Sequence, residues 1–412
     1  MEMLADLLDS WLDLPAQGAA DWSTVWAGSG AAALSGRAGG RPLDVPQSMV
    51  RLAVAASARI AEVTARIGRA VDLDGPALLG ERAALMGLTR RGDVSCGGAT
   101  RLLQAEDGWV AVSLARDSDV AAVHAWLETS DICDLASGAA ARTEAELVER
   151  GSLLGMPVAG LGECVSSVLA AGELQDAGPP VSSIEGLVVV DLSVLWAGPL
   201  CANVLGLAGA RVIKVESSRR PDGGRLGSKD FFDLLHGGHE SVGLDFTCAE
   251  DVDVLRRLIE RADVVIESSR PRALRQLGIV AEQCAGPRVW LSITGHGRDD
   301  ANAMRVGFGD DAAVAGGLVT TDGLGPCFCV DAVADPLSGI VAAAAVLTAL
   351  ERGDRWLVDV ALARTAAVAS NGPLTDISGM TIAPPRARSV TSIASRLGEH
   401  TDAVVAEVGG FD

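Results

Sequence analysis

The chain has 412 residues, enough for roughly two or three domains, and at 49% hydrophobic it can bury a sizeable core. Its formal net charge of −20 argues against nucleic acid and against an anionic membrane surface as partners. Aromatic residues make up 3% and tyrosine is absent, which argues against a stacking platform for bases. No apolar run approaches the roughly 18 residues of a membrane span. The acidic start (Glu2, Asp6, Asp9, Asp13) does not read as a signal peptide. The eight cysteines are scattered without a CxxC pair, as expected of reduced thiols in a cytoplasmic protein.

In chain order, residues 1–21 read as an amphipathic lead helix built on Leu4, Leu7, Leu8, Trp11, Leu12 and Leu14. Gly36 to Pro42 is a loop by composition, and Met49–Ile67 a helix of alanine and branched residues. Ala70–Leu73 is expected as a strand and Pro76–Met86 as a helix. A second unit follows over 92–180. Trp109–Leu114 reads as a strand after the Asp107-Gly108 turn, and Ser118–Leu127 as a helix. Thr143 with Glu146 forms a capping box for the next helix. Residues 172–185, rich in Gly, Pro and Ser, read as a linker.

From Ile184 the alternation of strand and helix is regular. Leu187–Val190 is a short β-branched run of the kind buried on both faces of a parallel sheet. Pro199 suits the first turn of a helix from Leu200 to Ala208, capped by Gly209, and Arg211–Val215 is the next strand. Strands are expected again at Ser241–Asp245, Asp263–Glu267, Arg288–Thr294 and Trp356–Val360. The helices between them are Ala249–Arg261 (capped by Thr247), Pro271–Leu277, Phe308–Val319 and Pro336–Leu350. This is the pattern of an α/β protein with a doubly wound parallel sheet, whose ligands collect at the carboxyl ends of the strands. Weak self-similarity links Ala27–Ala84 to Phe308–Val368, with Val71-Asp72-Leu73 answering Val358-Asp359-Val360.

Several residues are candidates for chemistry. Asp335 follows the strand-like Phe328–Val333 and precedes Pro336. It is either an N-cap or a carboxylate held ionised at a helix start and able to attack an activated acyl group. Asp310-Asp311 read as dipole-complementing acids, with no His or further acid at metal-ligand spacing. Arg219, Arg220 and Arg225 form a basic loop after a parallel strand, placed to meet a phosphate. No GxGxxG follows the Leu187 strand and no Gly-x-Ser-x-Gly elbow is present, which counts against NAD and against an α/β-hydrolase. His236 and His239 flank Gly237-Gly238 and read as surface or loop histidines.

Taken in order, a set of motifs resembles the family III CoA-transferases, the group that also contains alpha-methylacyl-CoA racemases. They are Val190-Asp191-Leu192 through Ala197-Gly198-Pro199, Gly209 to Glu216, Ser241-Val242-Gly243-Leu244-Asp245, and Ala262 to Glu267. Arg270-Pro271, Leu277-Gly278, Val333-Ala334-Asp335 and Leu397 to Asp402 complete the set. Asp107 to Val112 and Leu154 to Val158 resemble the family's small domain, which normally follows the catalytic half of the large one. Here it precedes the CoA-binding half, which implies a permuted or tandem-remnant domain order. Residues 22–90 resemble a degraded copy of the large domain's later half, with Ser48 near the copy's aspartate position. The resulting division is 1–91 as a helical, degenerate half-domain, 92–180 as a small α/β domain, 184–375 as a CoA-binding, Rossmann-like large domain, and 376–412 as a C-terminal tail.

The resemblance implies a CoA-transferase, with Asp335 as the nucleophile that forms a mixed anhydride and then an aspartyl-CoA thioester. Leu195, Trp196 and Ala197 match the loop on which CoA and the acyl group lie. Ser217 stands where an arginine often contacts CoA, and Arg219 or Arg220 would substitute for it. Leu244, Ser268 and Ser269 match positions lining the nucleotide site, and Arg305 a basic CoA contact. Gly97-Gly98 match a glycine loop covering the aspartyl intermediate. No metal and no tightly bound cofactor is implied. Coenzyme A and acyl-CoA are substrates, a carboxylic acid is the acceptor, and a homodimer is expected. The chain departs from the family at Ser268-Ser269, His239-Glu240 and Gln276. It also has no histidine in Gly307-Phe308-Gly309-Asp310, where racemases carry one. A racemase and a non-catalytic CoA-binding homologue remain the alternatives.

Overall fold

The computed structural model describes residues 21–128, 135–165, 170–174, 178–298 and 302–409, and the expected lead helix lies outside them. Its centre is a sheet of seven strands: β4 (Ala170–Leu174), β5 (Val188–Leu192), β6 (Arg211–Ser217), β7 (Glu240–Leu244), β8 (Val264–Glu267), β9 (Val289–Thr294) and β12 (Arg355–Ala361), in the spatial order β4-β12-β9-β8-β5-β6-β7. All neighbours are parallel except β4, which runs antiparallel to β12 at the edge. Numbered along the chain, the six parallel strands lie in the order 6-5-4-1-2-3. That is the doubly wound arrangement, and the order reverses between β5 and β8. Short crossovers through helices force the parallel pairing.

The apolar strand runs are explained by burial. Val189, Val190, Val264, Val265, Ile266 and Leu291 are each covered on their own face of the sheet. On one side lies the helix Ala249–Arg261, with Val252, Val254, Leu255, Leu258 and Ile259 turned inward and its charged residues outward. On the other side lies Ala334–Arg352, which is apolar all round. It packs against the helices Ala197–Ala208 and Gln47–Ile67, and small side chains make this close approach possible. A Cβ on Gly339 would sit 2.8 Å from the Ala197 carbonyl oxygen. By length and composition this 19-residue helix could cross a membrane, contrary to the expectation that no apolar run reaches that length, and 89% of the stretch is buried inside the protein.

The small unit has β1 (Thr100–Gln104), β2 (Trp109–Ser113) and β3 (Val158–Gly160) in an antiparallel sheet. It is covered by the helices Asp117–Leu127, Leu135–Ala140 and Glu144–Leu153. Trp126 is buried among Val110, Leu147 and Val158, and its indole N–H donates to the Leu147 carbonyl at 2.9 Å. The other face of β2, through Ala111, packs with Leu102 onto Val314 and Phe328 of the large unit. A short hairpin of β10 (Val319–Thr321) and β11 (Pro326–Phe328) leads into the loop before Asp335.

Several expectations are corrected. Ala70–Leu73 is not a strand, and the Pro76–Met86 helix is two short ones, Gly75–Leu78 and Glu81–Met86. The expected linker over 172–185 begins inside β4, which pairs with the large sheet. The helix after β5 starts at Ala197 rather than Leu200, because Trp196 already occupies its N-cap. The expected Phe308–Val319 helix stops at Ala315, where Gly316 and Gly317 end it. Cys248 rather than Thr247 precedes the Ala249–Arg261 helix. His236 and His239 are buried at 2% and 6% exposure, because the helix Lys229–His236 lays Phe231, Leu234 and Leu235 into the core and carries them in with it. Burial holds both imidazoles below the usual range, His239 at about 3, so they stay neutral. Both repeated segments run from a short helix to a long one, but the hairpin of β10 and β11 lies between them only in the second. Ser48 and Asp335 are each the second residue of the long helix.

Candidate active site

The loop after β5 is held in an unusual conformation. Leu195 has φ +70, a left-handed backbone that costs a branched residue about 1 kcal/mol or more. Its N–H donates to Asp222 Oδ1 at 3.0 Å, and the preceding Val194 N–H donates to Ser268 Oγ at 3.0 Å. The second bond ties together the ends of β5 and β8, where the strand order reverses. Beneath the loop, Lys214 is 1% exposed. Its ammonium donates to the Ser193 carbonyl at 2.9 Å and faces Asp222 at 3.0 Å and Asp191 at 3.8 Å. Burial opposes its charge, but the facing acids outweigh it and raise its pKa.

Along the same rim lie Ser217 and Leu244, the last residues of β6 and β7, joined by the Ser218 N–H bond to the Leu244 carbonyl. The Leu244 side chain is buried in the core, so its backbone is the part that faces the rim. Ser269 donates to Glu267 at 3.5 Å. Arg220 is exposed, and Arg219 pairs with Asp245 at 2.8 Å. Arg225 is consumed by Glu216 in a forked pair, with Nε 2.9 Å from Oε1, and so is not a free phosphate ligand. Arg305 is likewise taken by Glu163 and the Val158 carbonyl of the small unit, which removes it as an open CoA contact.

Arg270, at the start of the helix Pro271–Gln276, is a further cation of the rim. Burial and the nearby charges of Arg272, Arg116 and Arg220 push the Arg270 pKa down, although Arg116 is itself forked by Asp119. Such crowding is relieved by a bound polyanion. The Arg270-Pro271 dipeptide was the available signal.

Asp335 is half-buried, on the first turn of the helix Ala334–Arg352, with its N–H bonded to the Ala332 carbonyl at 2.9 Å. Ala332 has φ +45, and its N–H donates to Asp310 Oδ1 at 2.9 Å, so Asp310 pins the strained turn that starts the helix. Asp310 also accepts from Thr100 Oγ1 at 3.2 Å. Asp311 accepts from Ser113 Oγ at 2.6 Å and from the Phe308 N–H at 3.1 Å. These acids therefore lock the small unit to the site, a larger role than dipole complementation.

Burial, opposed by Arg82 and reinforced by Asp310 and Asp331, pushes the Asp335 carboxyl up to about 7. Burial likewise raises Asp310 to about 6 and Asp311 to about 7. Gly309 gives Asp335 its room and a backbone hydrogen bond. A Cβ there would overlap the Ala332 oxygen and lie 2.6 Å from Asp335 Oδ2. Gly309→Ala is expected to cost about 1–3 kcal/mol in urea unfolding and to displace the Asp335 carboxylate.

Arg82 gathers part of the predicted site. Its Nε and Nη2 donate to Asp331 at 2.7 Å each, and its Cζ lies 5.0 Å from the centre of the Trp196 ring. A Cβ on Gly97 would sit 3.7 Å from its Nη2. Asp335, Trp196 and Gly97 thus surround one guanidinium, with Ala197 beneath at the helix contact. Gly98 takes φ +84 to turn the glycine loop. The rim residues Ser217, Arg219, Arg220, Ser268 and Ser269 form a second cluster, with Leu195 between the two.

A parallel sheet with a basic rim at its reversal point and a half-buried carboxylate on a neighbouring helix defines a doubly wound α/β protein. The chain belongs to CoA-transferase family III, whose family model matches residues 184–395. It is 31% identical to an (R)-2-hydroxy-4-methylpentanoate CoA-transferase of Clostridioides difficile, over 44% of this chain and 51% of that protein. It is 29% identical to a formyl-CoA:oxalate CoA-transferase of Escherichia coli, over 34% and 36% of the two chains. A CAIB/BAIF family protein from Brucella suis, solved by crystallography, matches at 29% identity over 45% of this chain and 54% of that one, with a TM-score of 0.42. The chain spans about half the length, or less, of the curated relatives it matches.

Proposed function

We propose that the protein is a CoA-transferase that moves CoA from an acyl-CoA thioester to a carboxylic acid, with Asp335 as nucleophile. The observation that carries this is a half-buried carboxylate at about 7, seated on Gly309 and faced by a single arginine, beside the β5 loop that carries Trp196. An ionised Asp335 oxygen attacks the thioester carbonyl carbon, the C–S bond breaks, and CoA leaves as thiolate. The thiolate then attacks the aspartyl carbonyl of the anhydride, releasing the donor carboxylate and leaving an aspartyl-CoA thioester. The acceptor carboxylate attacks in turn, and the returning thiolate takes the new acyl group and frees Asp335. No proton is consumed, so a site without a neighbouring general base suffices.

On this reading Arg220, Arg270 and Arg272 bind the CoA phosphates. The Gly97-Gly98 loop covers the aspartyl centre. Coenzyme A is a substrate and not a resident cofactor. A homodimer and a cytoplasmic location go with the family resemblance. The division into units at 1–91, 92–180, 184–375 and 376–412 belongs to the same reading, although residues 170–174 pair with the large sheet.

Incubation with a panel of acyl-CoA thioesters and hydroxylamine is expected to give a hydroxamate at Asp335, read by mass spectrometry. Transfer to added carboxylates should rise with pH through about 7 as Asp335 ionises. Exchange of the C2 hydrogen for deuterium without acyl transfer would replace this reading with a racemase, and absence of CoA binding at millimolar ligand would remove both.

A further inference from the structure

We propose that Arg82, contributed by the N-terminal segment, is the positioning residue of the Asp335 site: by clasping Asp331 it fixes the turn that presents Asp335 and supplies the positive charge facing it. The inference rests on the reading of Asp335 as the reacting carboxylate.

Arg82 is held from two sides. Its fork to Asp331 uses both oxygens of a carboxylate that is fully buried. Asp331 immediately precedes Ala332, the left-handed residue whose carbonyl receives the Asp335 N–H. The guanidinium plane lies over Trp196, a favourable cation–π arrangement. The neighbouring Glu81 is forked by Arg388, with bonds of 2.8 and 3.0 Å, and Arg388 also donates to Asn203 Oδ1 at 2.9 Å. Adjacent residues of one short helix are thus each locked by a bidentate ion pair, one to the turn before Asp335 and one toward the helix after β5. This precision is more than a solvated surface arginine needs.

The charges around Asp335 make the same residue decisive. Asp310 comes from the helix Gly309–Ala315, Asp331 from the preceding loop and Arg82 from the N-terminal segment, and Arg82 is the one cation among them. Asp311 and the Cys96 thiol complete the cluster behind them. The other cations near the long helix serve its far end or its neighbour. Arg59 and Arg66 pair with Glu351, and Arg364 with Asp359. Removing Arg82 would leave Asp335 facing only acids. Removing Asp331 would leave Arg82 free to act on Asp335 undivided.

The test titrates Asp335 directly, by 13C NMR of protein labelled at the aspartate side-chain carboxyl, with the Asp335 signal assigned from Asp335→Asn. Arg82→Gln should raise the Asp335 midpoint by about one pH unit or more. Arg82→Lys, which keeps the charge, should restore most of that, and Asp331→Asn should move the midpoint the other way. Acyl transfer by Arg82→Gln should then fall about tenfold at pH 6.5 and much less at pH 8.5. An unchanged midpoint in folded Arg82→Gln overturns the proposal. If that variant does not fold, a midpoint in Asp331→Asn that fails to drop overturns it instead. If Asp335 responds as expected but no thioester supports transfer in the unaltered protein, the CoA-transferase reading falls and the Arg82–Asp335 coupling stands.

Discussion

Asp335→Asn is expected to lower acyl transfer by at least about 1,000-fold, the scale on which enzymes lose rate when a covalent nucleophile is deleted. The amide keeps the shape of the carboxylate and can still accept from the Gly309 backbone, but it cannot form the anhydride. The same substitution should leave the fold intact or firmer. A carboxyl raised to about 7 in the folded protein, against an ordinary value of 3.8, binds its proton more tightly when folded. Its stabilising share is therefore fully present below pH 3.8 and is lost as pH rises to about 7. Above that window the ionised group opposes folding. Asp335→Asn should gain about 1–2 kcal/mol at pH 8 and nothing at pH 4, after allowing for solvent screening of a half-buried group. Urea midpoints at the two pH values check this, and a loss of stability at pH 8 would mean that Asp335 holds the structure rather than serving the reaction.

Lys214→Met should destabilise the protein by about 3–5 kcal/mol. Methionine fills the space of the lysine stem, so packing changes little. What is lost is the ammonium between Asp222, Asp191 and the Ser193 carbonyl, and two buried carboxylates are then left facing each other. Asp222 is also the acceptor for the Leu195 and Gly224 N–H groups, so its displacement releases the strained loop over the rim. Adding Asp222→Asn to the methionine variant should recover part of the loss, because one of the stranded charges goes with it. Urea unfolding at pH 7 measures both. Additive losses in the pair would show that the lysine and Asp222 act independently.

What could be read from the sequence was whatever is written locally. The strands from β5 to β9 are continuous apolar runs because both faces of the sheet are covered, and the turn residues between them mark the crossovers. Asp335 could be picked out by its place between an apolar stretch and Pro336. Its surroundings could not, because Asp310 and Arg82 meet it only through tertiary packing, and Asp331, four residues before it, gives no sign of the arginine it holds. β4 was read as part of a linker since five residues including Gly172 and Glu173 carry no strand pattern of their own. His236 and His239 were misjudged because glycine and polar neighbours suggest a surface loop, whereas the aromatic residues before them pull the segment inward. Arg225 was open to a better reading: Glu216, at the end of the preceding strand, is a buried acid that needed a cation, and the basic loop supplied it.

The Arg82–Asp331 clasp joins residues 249 positions apart. During synthesis at about 5–20 residues per second, the first partner waits roughly 10–50 s on the ribosome before the second exists. Throughout that interval the helix Gln47–Ile67 has only its short neighbours Trp22–Ser29 and Gly75–Leu78 against it, since its main neighbour is the helix Ala334–Arg352. The nascent chain therefore carries an exposed, alanine-rich helix for most of its translation. Its yield in a cell should depend on trigger factor-like chaperones and on translation speed, far more than that of a protein whose contacts close locally.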